Sequence, residues 1–137
     1  PQLESVRSLQ SVVQHLRPLV LAVDDDAFQC KLLGRLLATE KYEIVFANSA
    51  AEALAAVRRR RPDLILMDVN LPDMDGVELT RRIKAVAQYA AIPVVMITGH
   101  SERNVVAASL QAGAIDFVVK PFDAERLRGK VEKYIQL

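Results

Sequence analysis

The chain has 137 residues, about half of them apolar, and a formal net charge of +1, which suits one domain with its own core and gives no global field that would draw in nucleic acid or a membrane surface. Its single cysteine, Cys30, excludes an intrachain disulfide, offers no zinc-ligand spacing and fits a reducing, cytoplasmic setting. No apolar run approaches the ~18 residues of a membrane helix, no signal-peptide pattern is present, and Pro1 in place of an initiator Met reads as a cut from a longer chain or a processed product.

Residues 1–17 are expected to be a helix or linker, set apart from a domain over 18–137. Val6, Leu9, Val13 and Leu16 make a 3-4-3 apolar seam of two heptads. Such a seam packs either on its own domain or on an upstream neighbour. Pro18 ends it. Leu19–Val23 is a continuous apolar run, suited to a strand buried on both faces, and it stops at Asp24-Asp25-Asp26. Residues 27–39 return to helical spacing through Phe28, Leu32, Leu33, Leu36 and Leu37, with Cys30 core-facing or partly exposed.

Glu43–Ala47 reads as a second strand. Asn48 or Ser49 caps the next helix, Glu52 sits in its first turn, and Ala50, Ala53, Leu54 and Val57 form its buried side. Arg58 to Arg61 reads as its solvated basic end. Leu64–Met67 is the third strand, ending at Asp68. Asn70, Pro72, Asp73 and Asp75-Gly76 then supply turn chemistry. A helix follows over about 77–87, with Val77, Leu79, Ile83 and Val86. The fourth strand, Val94–Ile97, ends at Thr98-Gly99. A helix over 101–112 stops at Gly113, a left-handed terminator. Ile115–Val119 is the fifth strand, ending at Lys120-Pro121. The last helix starts near Asp123 and buries Leu127, Val131 and either Tyr134 or Ile135.

Five strand–helix units in strict alternation predict an α/β fold, a doubly wound parallel sheet with helices on both faces. Ligands of such sheets bind beyond the carboxyl ends of the strands, so the residues at those ends are the candidate site. They are Asp24 and Asp25, Asp68, Thr98 and Lys120. With the first and third strands adjacent, three carboxylates crowd one volume against one ammonium, an arrangement that calls for a hard cation. Mg²⁺, with Mn²⁺ as the alternative, takes such oxygen ligands. Asp25 and Asp68 are expected to ligate directly, Asp24 through water, and Asn70 through its backbone carbonyl. A carboxylate nucleophile beside a cation, an ammonium and a hydroxyl suits phosphoryl chemistry.

Val23-Asp24-Asp25, Met67-Asp68 with Pro72 and Asp75-Gly76, Thr98-Gly99 and Lys120-Pro121-Phe122, in this order, resemble the receiver domain of two-component response regulators, over about 19–137. The resemblance implies a flavodoxin-like strand order 2-1-3-4-5. It implies that Asp68 accepts a phosphoryl group from a sensor histidine kinase or a histidine phosphotransfer protein. Asp24, Asp25, Asp68 and the Asn70 carbonyl would hold Mg²⁺, Lys120 would pair with phosphoryl oxygens, and Thr98 and Phe117 would form the switch. A cis Lys120-Pro121 bond is implied as well.

Asn70 and His100, each two residues beyond a site residue, would border the route of the hydrolytic water. Phe117 stands where Tyr is frequent in the family. The resemblance also implies a face of the fourth helix, fifth strand and fifth helix that meets a second copy or a linked or separate effector, with no direct contact to nucleic acid or membrane. The protein is then a switch rather than an enzyme, with self-phosphorylation and slow autodephosphorylation only. Two rivals are a phosphohydrolase of the haloacid dehalogenase type and a phosphorylation-independent docking module. The first expects an Asp where Asn70 stands, and the second does not need the five site residues.

Overall fold

The computed structural model describes residues 17–99, 103–121 and 123–135. The helix expected over 1–17 falls, apart from Arg17, outside them, as do His100 and Phe122.

Five strands, β1 (Leu19–Val23), β2 (Glu43–Ala47), β3 (Leu64–Asp68), β4 (Val94–Thr98) and β5 (Asp116–Val119), form one parallel sheet in the order β2-β1-β3-β4-β5. Every residue of β1, β3 and β4 is buried, as their unbroken apolar runs require. The two-residue period of a strand sends Leu21 and Val23 to one face and Val20 and Ala22 to the other. Four helices connect the strands, α1 (Ala27–Leu36), α2 (Ala50–Arg59), α3 (Gly76–Lys84) and α4 (Arg103–Ala112), and a fifth, α5 (Ala124–Tyr134), follows β5. Ala50, Ala53 and Val57 of α2 and Leu79 and Ile83 of α3 fill the core on one face; Leu33 of α1, Leu37 just beyond it, and Leu127 and Val131 of α5 fill the other. Helix α4 packs beside α3.

The helix starts follow from side-chain caps. Asp26 Oδ1 accepts from the Phe28 and Gln29 N–H groups, and Asp123 Oδ1 from those of Glu125 and Arg126. Ser49 Oγ accepts from Glu52 N–H at 3.1 Å, while Glu52 Oε2 accepts from Asn48 N–H at 3.2 Å, a reciprocal cap. Gly113 has φ 112°, so it does end α4 with a backbone that side chains disfavour.

Several sequence expectations are corrected. Phe28 does not enter the core but is 73% exposed, because it follows the cap directly on the solvent side of α1. That helix stops at Leu36, and α3 stops at Lys84, where Lys84 Nζ donates to the carbonyls of Ala90 and Ile92 and closes the connection. Val86 lies beyond the helix and is exposed, and Ile115 lies before β5 and is exposed. Of Tyr134 and Ile135, Ile135 is buried; Tyr134 turns its hydroxyl to Asp116. The basic run is not all solvated: Arg60 Nη1 meets Glu43 Oε2 at 2.7 Å and Nη2 donates to the Arg17 carbonyl at 3.2 Å.

Candidate phosphoacceptor site

The strand order places β1 beside β3, and Val23 pairs with Met67, so the residues that follow converge. Asp24, Asp25, Asp68, Asn70, Thr98 and Lys120 line one cleft at the carboxyl ends of the strands, together with Asp26, Val69, Gly99 and Val105. All the site residues read from the strand ends therefore meet in one place. Phe117 does not line the cleft; it is half-buried on β5 and packs against the α2–α3 core.

Asp24 is buried and Asp25 exposed, and Asp68 and Thr98 are buried. Asp24 Oδ1 accepts from the Asp26 N–H at 2.9 Å, which orients the carboxylate. Its Oδ2 is buried without a hydrogen-bond partner. One carboxylate oxygen from each of Asp24, Asp25 and Asp68 lies within 4.8 Å of the others. The Lys120 ammonium stands 3.8 Å from Asp24 Oδ2 and 3.8 Å from Asp68 Oδ1, bridging the two without closing a short pair with either. Among the described residues, one cation thus faces three acids. Burial, then the Asp24 charge, push the Asp68 carboxyl up to about 6, against the lowering pull of Lys120 and of the Asn70 N–H. An orphaned buried oxygen, an all-oxygen donor set and an excess of negative charge fit a hard divalent cation.

The backbone around Asp68 is fixed from several sides. Asn70 N–H donates to Asp68 Oδ1 at 3.4 Å, and Asn70 bridges Asp75 across the loop. Gly76 N–H donates to the Val69 carbonyl at 2.7 Å, and Asp75 Oδ1 caps α3 by accepting from Val77 N–H at 2.6 Å. Thr80 Oγ1, fully buried, donates back to the Gly76 carbonyl at 2.8 Å. The Asp-Gly pair is therefore a cap and a close approach rather than a tight turn.

Two residues to which the sequence assigned no role here also build this end of the sheet. Asp73 accepts from the N–H groups of Ala50 and Ala51 at 2.8 and 3.1 Å, so the loop after Asp68 caps α2. Asn48 Nδ2 donates to the Asp24 carbonyl at 2.9 Å and ties β2 to the acidic strand end. Asp73 is one acid among several in a loop, and only the fold brings it to a helix 23 residues earlier. The Lys120-Pro121 peptide is cis, as the resemblance implied.

The sequence model of the response regulator receiver domain matches residues 20–132. The chain belongs to the response regulator receiver family. Among its relatives, the transcriptional regulatory protein ZraR of Escherichia coli O157:H7 is 40% identical over 114 residues, covering 83% of this chain and 25% of that protein. The DNA-binding response regulator MtrA of Mycobacterium leprae is 35% identical over 116 residues, covering 85% of this chain and 50% of that protein. The receiver thus spans a quarter to a half of these curated relatives. Among solved structures, the chemotaxis protein CheY4 of Vibrio cholerae superposes with a TM-score of 0.81 at 31% identity, covering 86% of this chain and 98% of that one. NtrX from Brucella abortus gives 0.80 at 35% identity over 88% of this receiver and 27% of its own chain. Proteins of this family work in two-component signalling with histidine kinases and often carry effector domains.

Proposed function

We propose that this receiver is a phosphoryl-controlled switch whose acceptor is Asp68. The observation that carries the reading is the position of Asp68: a buried carboxylate at the end of β3, flanked by the Lys120 ammonium at 3.8 Å and by two further acids. The donor in this reading is a phosphohistidine on a sensor histidine kinase or a histidine phosphotransfer protein. An Asp68 carboxylate oxygen attacks phosphorus, the new P–O bond forms as the P–N bond breaks, and the electron pair returns to the imidazole nitrogen, which takes up a proton. In the reverse sense of the switch, water attacks the same phosphorus. The P–O bond to Asp68 breaks, inorganic phosphate leaves, and the carboxylate is restored.

Asp24, Asp25, Asp68 and the Asn70 carbonyl would hold Mg²⁺, or Mn²⁺ in its place. When bound, the ion supplies positive charge against the oxygens of the transferring group. Lys120 neutralises further charge on those oxygens, and the Thr98 hydroxyl donates to one of them. Asp26 N–H holds Asp24 in place through Oδ1, leaving Oδ2 for the site.

Phosphorylation then shifts a pre-existing equilibrium. In this reading Thr98 at the end of β4 and Phe117 on the neighbouring β5 move together; the register pairs Thr98 with Val119 and Met96 with Phe117. The output face in this reading is α4–β5–α5, where Lys130 Nζ and Tyr134 OH both donate to Asp116 Oδ2 at 2.7 Å. A second copy or an effector would meet it there, and any contact to DNA would belong to a linked domain. The protein turns over no separate substrate. Treatment with acetyl phosphate and Mg²⁺, borohydride reduction and peptide mapping tests the acceptor: residue 68 is expected as homoserine. Reduction at another acid would refute the assignment.

A further inference from the structure

Asp24 is held through its main chain as well as its side chain. Its N–H donates to the Ala47 carbonyl at 3.0 Å, one residue past the Val23–Ala47 pairing of β1 and β2. Its carbonyl accepts twice, from Asn48 Nδ2 at 2.9 Å and, more loosely, from the Cys30 thiol at 3.4 Å. Asn48 Nδ2 also stands 3.7 Å from the Cys30 sulfur, so the three groups close on one another. A carbonyl oxygen has two lone pairs, and both are used here. On the side chain, Oδ1 accepts from the Asp26 N–H, while Oδ2 is buried without a hydrogen-bond partner, 3.8 Å from the Lys120 ammonium.

Asn48 is an exposed residue just after β2. Water would satisfy its amide, yet the side chain turns inwards to Asp24, and its own N–H is fixed by Glu52 Oε2 at 3.2 Å. The peptide plane that carries the Asp24 carbonyl also carries the Asp25 N–H, and it is rigid. Pinning that oxygen therefore fixes the two torsions, one on either side of the plane, that set Asp25 against Asp24. Asp25 is exposed, so the core does not place it. The cation site needs one oxygen from each of these acids and one from Asp68, all within 4.8 Å of one another.

We infer that Asn48 is a positioning residue of the cation site: its amide clamps the Asp24 carbonyl and so sets the spacing of the two acids at the end of β1. The inference rests on the Mg²⁺ site proposed above. Asn48 does not line the cleft, so it acts through Asp24. Groups one step removed from a metal change its affinity by roughly ten- to a hundredfold when they are lost.

The test is a Mg²⁺ titration of the nitrogen-labelled, folded 137-residue chain, followed by its amide resonances with no phosphodonor present. Asn48→Ala should weaken Mg²⁺ binding by roughly tenfold. It should also move the Asp25 amide nitrogen resonance in the metal-free protein, with the amides of Leu66 and Ile97 unmoved. Ser49→Ala is the control for structure alone, because it removes the α2 cap one residue further on. It should lower the urea midpoint and leave Mg²⁺ affinity as in the parent. Equal affinity in Asn48→Ala and the parent would overturn the inference, as would an equal loss in Ser49→Ala. A parent chain that binds no Mg²⁺ would instead remove the cation site itself, and this inference with it.

Discussion

A Cβ built on Gly76 would lie 1.9 Å from the backbone oxygen of Asp68. The first turn of α3 is thus pressed against the main chain of Asp68, and only hydrogen fits between them. Gly76→Ala must push α3 or the end of β3 aside. Destabilisation of roughly 1–3 kcal/mol is expected, in the range of overpacked cores, together with a fall in the rate of phosphoryl uptake. Thermal unfolding and acetyl phosphate uptake on the same preparation check both; a variant with wild-type melting would show that the loop yields freely.

The raised Asp68 carboxyl makes a claim about pH. Its ordinary value is 3.8 and its folded value about 6. Between these the folded state binds more protons than the unfolded one, so this residue's contribution to stability falls as pH rises from about 4 to about 6 and is least above that. In metal-free protein at pH 7, Asp68→Asn should therefore stabilise the fold, on the order of 1–2 kcal/mol after allowing for water in the open cleft. The gain should shrink towards pH 4. Urea unfolding at the two pH values in EDTA reads it.

Mg²⁺ should stabilise the wild-type chain more than variants that lack one of its carboxylates. A ligand that binds only the folded state stabilises it in proportion to the logarithm of its concentration. Wild-type protein should rise in melting temperature with millimolar Mg²⁺, and Asp24→Asn or Asp68→Asn should rise far less. Equal shifts in all three would place the ion elsewhere.

Lys120 separates charge from metal binding. Lys120→Met removes the only ammonium within 4 Å of Asp24 and Asp68 among the described residues. Mg²⁺ affinity should hold or rise, because the competing cation is gone. Phosphoryl uptake should fall by roughly ten- to a hundredfold, as for loss of one charge aimed at the transferring group. Mg²⁺-dependent melting and uptake rates, measured side by side, distinguish the two roles.

Asp73 joins the loop after Asp68 to α2. Its carboxyl is held below the ordinary range by the Ala50 and Ala51 N–H groups. That contribution is present above the unfolded value and is lost as pH falls through the lower folded one. Asp73→Asn should lower the urea midpoint at pH 7 and lose its effect in strong acid. A constant difference across that range would contradict the cap.

The sheet was legible because β1, β3 and β4 are unbroken apolar runs, and because each runs out at a polar residue, Asp24, Asp68 and Thr98. Asp24, Asp25, Asp68, Thr98 and Lys120 group together on sequence alone, since parallel strands deliver all their carboxyl ends to one side. Helix ends were less legible. Lys84 stops α3 by reaching carbonyls in the following connection, an interaction that periodicity does not encode. Phe28 fits an apolar helical spacing yet faces water, because the cap at Asp26 sets the rotation of α1. Asp73 and Arg60 act across 22 or more residues or onto main-chain atoms, so their roles appear only in three dimensions. Gly76 looked like a turn residue and proved to be a contact, a distinction that depends on what lies opposite.

The most direct measurement is intact mass after incubation with acetyl phosphate and Mg²⁺, with Asp68→Asn and an EDTA-treated sample beside it. One added phosphoryl group on the parent, absent from both controls, is the predicted result. A parent that gains no mass and releases no phosphate, or an Asp68→Asn variant phosphorylated as readily as the parent, would contradict the assignment of Asp68 as the metal-assisted acceptor.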